Sequence, residues 1–175
     1  PRVPGALREL VMTLLQADNL RKAGEVALAA AQADPESLEA RIVLGIVHQK
    51  AHEPLQALEH YGAALAMQPS DAEVHERRGS AYQELGRLEE AIAAYDRALA
   101  LRPGYPDAMF HRSLAKLLLG DFAGGWDGYE LRKLSMQGAV PSHAAQWQGE
   151  ALGGRTLLVR GEQGLGGGIM CGSMV

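Results

Sequence analysis

Three prolines lay a ruler along this chain. Pro35, Pro69 and Pro103 stand 34 residues apart, and other positions keep the same phase. Ala23, Ala57 and Ala91 align, as do Ala30, Ala64 and Ala98; Gly45 falls on Gly79, and Tyr61 on Tyr95 and Tyr129. Recurrence at a fixed period of this length means one supersecondary unit used several times, each covering the apolar face of the next. Between the markers, apolar residues return every three or four positions, as in Leu85, Leu88, Ala91, Ile92, Tyr95, Ala98 and Leu99. That spacing places them on one stripe of an amphipathic helix. A unit of this length holds two antiparallel helices. They approach closely where small residues face each other, so Ala and Gly recur at the crossing and the tyrosines fill the gap beside it.

This pattern resembles the tetratricopeptide repeat family, whose helix-turn-helix unit carries small residues, an aromatic and a closing proline at these places. The resemblance covers residues 4–139 as four units, 4–37, 38–71, 72–105 and 106–139. It implies an all-α fold in which about four repeats stack into a right-handed superhelix, followed by a short Gly-rich segment with one β-strand. The third unit is the fullest, with Gly79, Tyr82, Gly86, Ala91, Tyr95, Ala98 and Pro103 in register. The first has Val11, Leu14 and Ala27 where Gly, Tyr and Tyr are expected. The fourth has Ser113, Lys116 and Gly125 at diagnostic places, and Gln137 where the closing proline would stand. Terminal repeats have one neighbour to cover them, so departures are expected there. Ser70 followed by Glu73 reads as a capping box, Pro54 suits a first helical turn, and Asp121 suits the start of the last helix.

In such a superhelix the first helices line a concave groove, and the resemblance implies a scaffold that binds a peptide or protein partner there. By register the groove takes Glu9, Met12 and Gln16 from the first unit; Ile42, Val43, Ile46 and Gln49 from the second; Arg77, Ser80 and Gln83 from the third; and Phe110, His111 and Leu114 from the fourth. The Lys and Asn set that clamps a peptide carboxylate in chaperone adaptors is absent, as is the Asn ladder of the long sugar-transferase superhelices. Ile42, Val43 and Ile46 are read equally well as packing against a neighbouring helix or the C-terminal tail. Glu39, Glu73 and Asp107 form an acidic row in the first turns of successive helices. Helix-dipole stabilisation explains this row more cheaply than a basic ligand does. His48 and His52 have the spacing of two metal ligands on one helix, but no third ligand lies nearby in sequence, so no metal and no cofactor is expected.

Composition narrows the setting. The chain has 175 residues, with 17 basic and 21 acidic side chains scattered together, which argues against nucleic acid. A lone Cys171 forms no internal disulfide, so a reducing, cytoplasmic location is expected. No apolar run is long enough for a membrane span. A first residue of Pro1 reads as a piece of something longer. Fourteen of the 21 glycines lie from Gly120 onward. There the stretches Gly120-Asp-Phe-Ala-Gly-Gly-Trp126, Trp147-Gln-Gly149 and Glu162-Gln-Gly-Leu-Gly166 resemble the junction of bacterial repeat proteins fused to a glycosyltransferase domain of the O-GlcNAc transferase-like and heptosyltransferase-like kind. The resemblance implies a strand at 156–160 and makes 140–175 either the truncated start of such a domain or a mobile tail. Gly167 replaces the acidic residue of that family, and too few residues follow Ala139 to build a nucleotide-binding domain. The alternative function is therefore the recognition arm of a larger sugar transferase, inactive in this chain. The apolar run Leu157-Leu-Val159 and the last repeat suggest homodimerisation.

Overall fold

In the computed structural model, residues 5–129 are described. They form eight helices in chain order: α1 Ala6–Gln16, α2 Leu20–Ala33, α3 Leu38–Lys50, α4 Pro54–Met67, α5 Ala72–Glu84, α6 Leu88–Leu101, α7 Pro106–Leu118 and α8 Phe122–Tyr129. Among the described residues there is no strand. Consecutive helices pair as four hairpins, and each hairpin leans on the next through α2 on α3, α4 on α5 and α6 on α7. The odd-numbered helices also touch one another in sequence, α1 to α3, α3 to α5 and α5 to α7. This is the all-α helical repeat that the period predicts. The strand expected at 156–160 and the transferase-like stretch from Glu130 onward lie outside the described residues.

The contact inside each hairpin explains the recurring glycine and tyrosine. Tyr61 and Tyr95 are fully buried. A Cβ added to Gly45 would stand 2.6 Å from Tyr61 Cδ1, and one added to Gly79 would stand 2.7 Å from Tyr95 Cδ1. No side chain fits there, so the ring lies flat on bare backbone. The first repeat reverses the sizes at the same two places. Val11 and Ala27 are both buried in one apolar cluster, with bulk on the first helix and a small residue on the second. Large and small trade places across the pair, the kind of compensating exchange a packed core tolerates. The tyrosine hydroxyls are satisfied in parallel ways: Tyr61 donates to Gln49 Oε1 at 2.9 Å and Tyr95 to Gln83 Oε1 at 3.1 Å. Burial pushes both phenols upward in pKa, so they stay protonated donors.

The turn between the two helices of each repeat has its own recurring conformation. Asp18, His52, Gly86 and Gly120, spaced 34 apart, all take positive φ, at 55°, 58°, 72° and 85°. Glycine adopts this region freely, and Asp and His are among the residues that tolerate it. His52 therefore lies past the end of α3, so the i, i+4 spacing of His48 and His52 does not place them on one helix face. His48 instead stacks on His60 with ring centroids 5.2 Å apart, and its Nδ1 donates to Glu53 Oε2 at 2.7 Å.

Helix starts correct one further expectation. The cap of α5 is Asp71, not Ser70: Asp71 Oδ1 accepts from the backbone N–H groups of Glu73 and Val74 at 3.0 and 3.1 Å. Ser37 does the same for α3, 34 residues earlier, accepting from Ala40. Pro54 opens α4, as expected. Asp121 caps α8 by accepting from Gly124 at 2.9 Å.

Candidate binding groove

The odd-numbered helices line a groove of about 580 Å³. Its walls are Ile46, Gln49 and Lys50 of α3, with His52 just beyond; Glu76, Arg77, Ser80 and Glu84 of α5; and Asp107 and His111 of α7, preceded by Tyr105. A smaller hollow of about 310 Å³ continues past Ser80 and His111 to Gln83 and Leu118. The groove thus draws on three successive repeats, because residues spaced three and four apart along α5 all point to one side.

Of the residues predicted from register, Ile46, Gln49, Arg77, Ser80 and His111 line the main groove, and Gln83 lines its extension. Ile42 and Val43 do not. They are 2% and 0% exposed and lie in the two apolar clusters that join the first three repeats. Phe110 is half-buried and its ring lies 5.6 Å from that of His111; Leu114 is also half-buried and outside both hollows. Glu9, Met12 and Gln16 are not among the lining residues, and Met12 packs against the core of the second repeat. The sequence reading missed Lys50, His52, Glu76, Glu84, Tyr105 and Asp107. The signal was present for two of them: Glu76 and Glu84 stand one helical step either side of the chosen Arg77, Ser80 and Gln83 row.

Two polar networks shape the groove. In the first, Arg77 donates from Nε and Nη2 to Glu73 Oε1 at 3.0 and 2.9 Å. The other oxygen of Glu73 accepts from Arg8 Nη1 at 2.7 Å, across 65 positions of sequence. The Arg8 backbone N–H donates to Glu39. The acidic row at Glu39 and Glu73 therefore ties the first repeat to the second and third. Burial would push the Glu73 carboxyl up, but the hydrogen bonds and charges of Arg77 and Arg8 outweigh it and hold the group below its ordinary value. In the second network Glu76 Oε1 accepts from His111 Nδ1 at 2.8 Å and from Ser80 Oγ at 3.2 Å. An ionised carboxylate has no proton to give, so the His111 proton sits on Nδ1. The Tyr95 hydroxyl, whose proton goes to Gln83, also lies 3.3 Å from the same Ser80 oxygen, which places the groove floor against the hairpin contact beneath it.

Repeating helical hairpins with a groove on the odd-numbered helices define an α-helical solenoid. Residues 42–106 and 78–124 match the tetratricopeptide repeat family, so this stretch of the chain carries tetratricopeptide repeats. Over nearly its whole length, 99%, the chain is similar to the protein FlbA of Caulobacter vibrioides, at 29% identity, and spans 30% of that protein. It is 31% identical over 98 residues to the peroxisomal targeting signal receptor of Saccharomyces cerevisiae, of which it spans 16%. Among solved structures, the fold resembles MamA (24% identity, TM-score 0.62, 73% of this chain and 74% of that one). It also resembles MamA of Desulfovibrio magneticus (22%, TM-score 0.65, 79% and 78%). Among the described residues, no helix is long and apolar enough to cross a membrane.

Proposed function

We propose that this chain is a protein interaction scaffold that holds a peptide or protein segment in the groove between Gln49 and His111. The observation that supports the reading most is the assembly of one continuous lined hollow from three successive repeats, on a fold whose relatives include a receptor for a peroxisomal targeting signal. The side chains around it are held by Arg77–Glu73, His111–Glu76 and Tyr95–Gln83 bonds, so the surface is ordered before a partner arrives and little is lost in ordering it. Peptides enter such surfaces as an extended strand or as one side of a helix. The alternative, the recognition arm of a larger sugar transferase, draws no support from the family match or from these relatives.

Immobilised protein should recover the same small set of partners from a lysate as a variant with charges altered on the outer helices, at Lys22→Glu, Glu59→Lys and Glu89→Lys. The groove variant Lys50→Glu, Glu84→Lys, Asp107→Lys should lose them while keeping its helical circular dichroism. Unchanged recovery with the groove variant would remove the groove from the account.

A further inference from the structure

The groove has a buried carboxylate that no lysine or arginine hydrogen-bonds among the described residues. Glu76 is 7% exposed, and its ion-pair partner among the described residues is His111, which is charged only when protonated. Its remaining bond is to a neutral hydroxyl, Ser80. The nearest guanidinium in sequence, Arg77, is turned to Glu73 by two bonds, and Glu73 holds Arg8 as well. A buried carboxylate is ordinarily paired with a cation or fully hydrogen-bonded, because desolvating it otherwise costs several kcal/mol. The walls add to the same field. Glu84 gives one oxygen to Gln49 Nε2 at 2.6 Å, and Asp107 is exposed at the edge of the groove. Three carboxylates, Glu76, Glu84 and Asp107, thus line the hollow beside two cations, Lys50 and Arg77, and the hydrogen bonds of Arg77 go to Glu73.

From this we infer that the groove selects a partner segment carrying a lysine or arginine side chain, seated against Glu76 with Glu84 and Asp107 beside it. The inference rests on the groove being a peptide site and adds the chemistry of the occupant. The negative wall also rejects acidic segments, since a carboxylate there would meet like charge in a partly desolvated space. The acidic row noted in the sequence is thereby divided. Glu39 and Glu73 serve the structure, and Asp107 serves the ligand.

The test is selection from a randomised twelve-residue peptide library on the full chain, at moderate ionic strength. Lys or Arg should be enriched at one position among the peptides bound. Replacing that residue by norleucine in a selected peptide should weaken binding about tenfold or more, as loss of a charge-assisted hydrogen bond does. Glu76→Gln, which keeps the shape and an acceptor for His111, should weaken the basic peptide by a similar factor and leave its norleucine analogue unchanged. The pair Glu84→Gln and Asp107→Asn should act the same way if Glu76→Gln disturbs folding. The outer pair Glu59→Gln and Glu89→Gln, with the same change in net charge, should have no effect. Enrichment without a basic preference, or equal weakening by the outer pair, overturns the inference while leaving the groove as a peptide site. No enrichment of any peptide overturns both.

Discussion

In the third repeat the glycine lies on the first helix and the bulk on the second, Gly79 against Tyr95. In the fourth, Tyr129 keeps the phase of Tyr95, and glycines stand on the second helix as well, in phase with Ala91 and Ala94. Ser113 and Leu117 stand on α7, and the glycines are on α8, where a Cβ at Gly125 would meet Leu117 Cδ2 at 2.6 Å and one at Gly128 would meet Ser113 Cβ at 3.2 Å. Both repeats need the helices close, but neither needs glycine at a fixed place. The cost differs, however. Gly124, Gly125 and Gly128 occupy three of the eight positions of α8, and each is about 1 kcal/mol worse than Ala in a helix interior. The last helix therefore depends on its packing against α7 more than α6 depends on α5.

The largest effect should come from emptying the tyrosine site. Tyr95→Ala is expected to cost about 3–5 kcal/mol, the range for removing a buried aromatic ring, read as a fall in the urea midpoint at unchanged slope. Next, Gly79→Ala and Gly128→Ala should each cost roughly 1–3 kcal/mol by overpacking, although Ala is the better helix former. The fourth repeat allows a stricter check, because the Gly128 methyl collides mainly with Ser113. The double variant Ser113→Gly, Gly128→Ala should be more stable than the sum of the singles, a favourable coupling of at least 0.5 kcal/mol in a double-mutant cycle. An additive result would mean that the glycine is there for another reason.

Smaller effects come from the turns and from titration. His52→Gly should stabilise by about 1 kcal/mol, since a non-glycine residue in the left-handed region is strained by roughly 1–2 kcal/mol. Gly86→Ala should destabilise by a similar amount. Glu73 marks a further contrast with the fourth repeat, where Asp107 in the same phase has no such pair of guanidinium partners. Its pKa is lowered in the folded chain from an ordinary value of 4.5. The unfolded state therefore binds more protons below that pH, and stability present above about 4.5 is lost as pH falls through the folded value. Glu73→Gln should flatten this part of the stability-against-pH curve.

The period was readable because its markers are residues with few substitutes: proline after a helix, alanine at a crossing, tyrosine over bare backbone. Where a neighbour can absorb the change, the marker was lost. Val11 with Ala27 looked like decay and is an exchange of large for small between facing helices. The left-handed turn was visible at Gly86 and hidden at Asp18 and His52, since a single sequence does not say that these side chains sit at positive φ. The groove was harder to read because Ile42 to Val47 are all buried, so the apolar spacing in α3 does not distinguish its faces. Charged residues such as Glu76 and Asp107 gave no sign of which helix they would confront.

Arg8 bonds to Glu73 past an entire intervening repeat. In an array whose members touch nearest neighbours alone, curvature is the sum of independent joints and the ends bend freely. A brace between first and third members couples two joints, so tightening one tightens the other. The first three repeats are thereby joined through a bond that skips a member, while the fourth is joined to the third by His111–Glu76 and Arg112–Asp96.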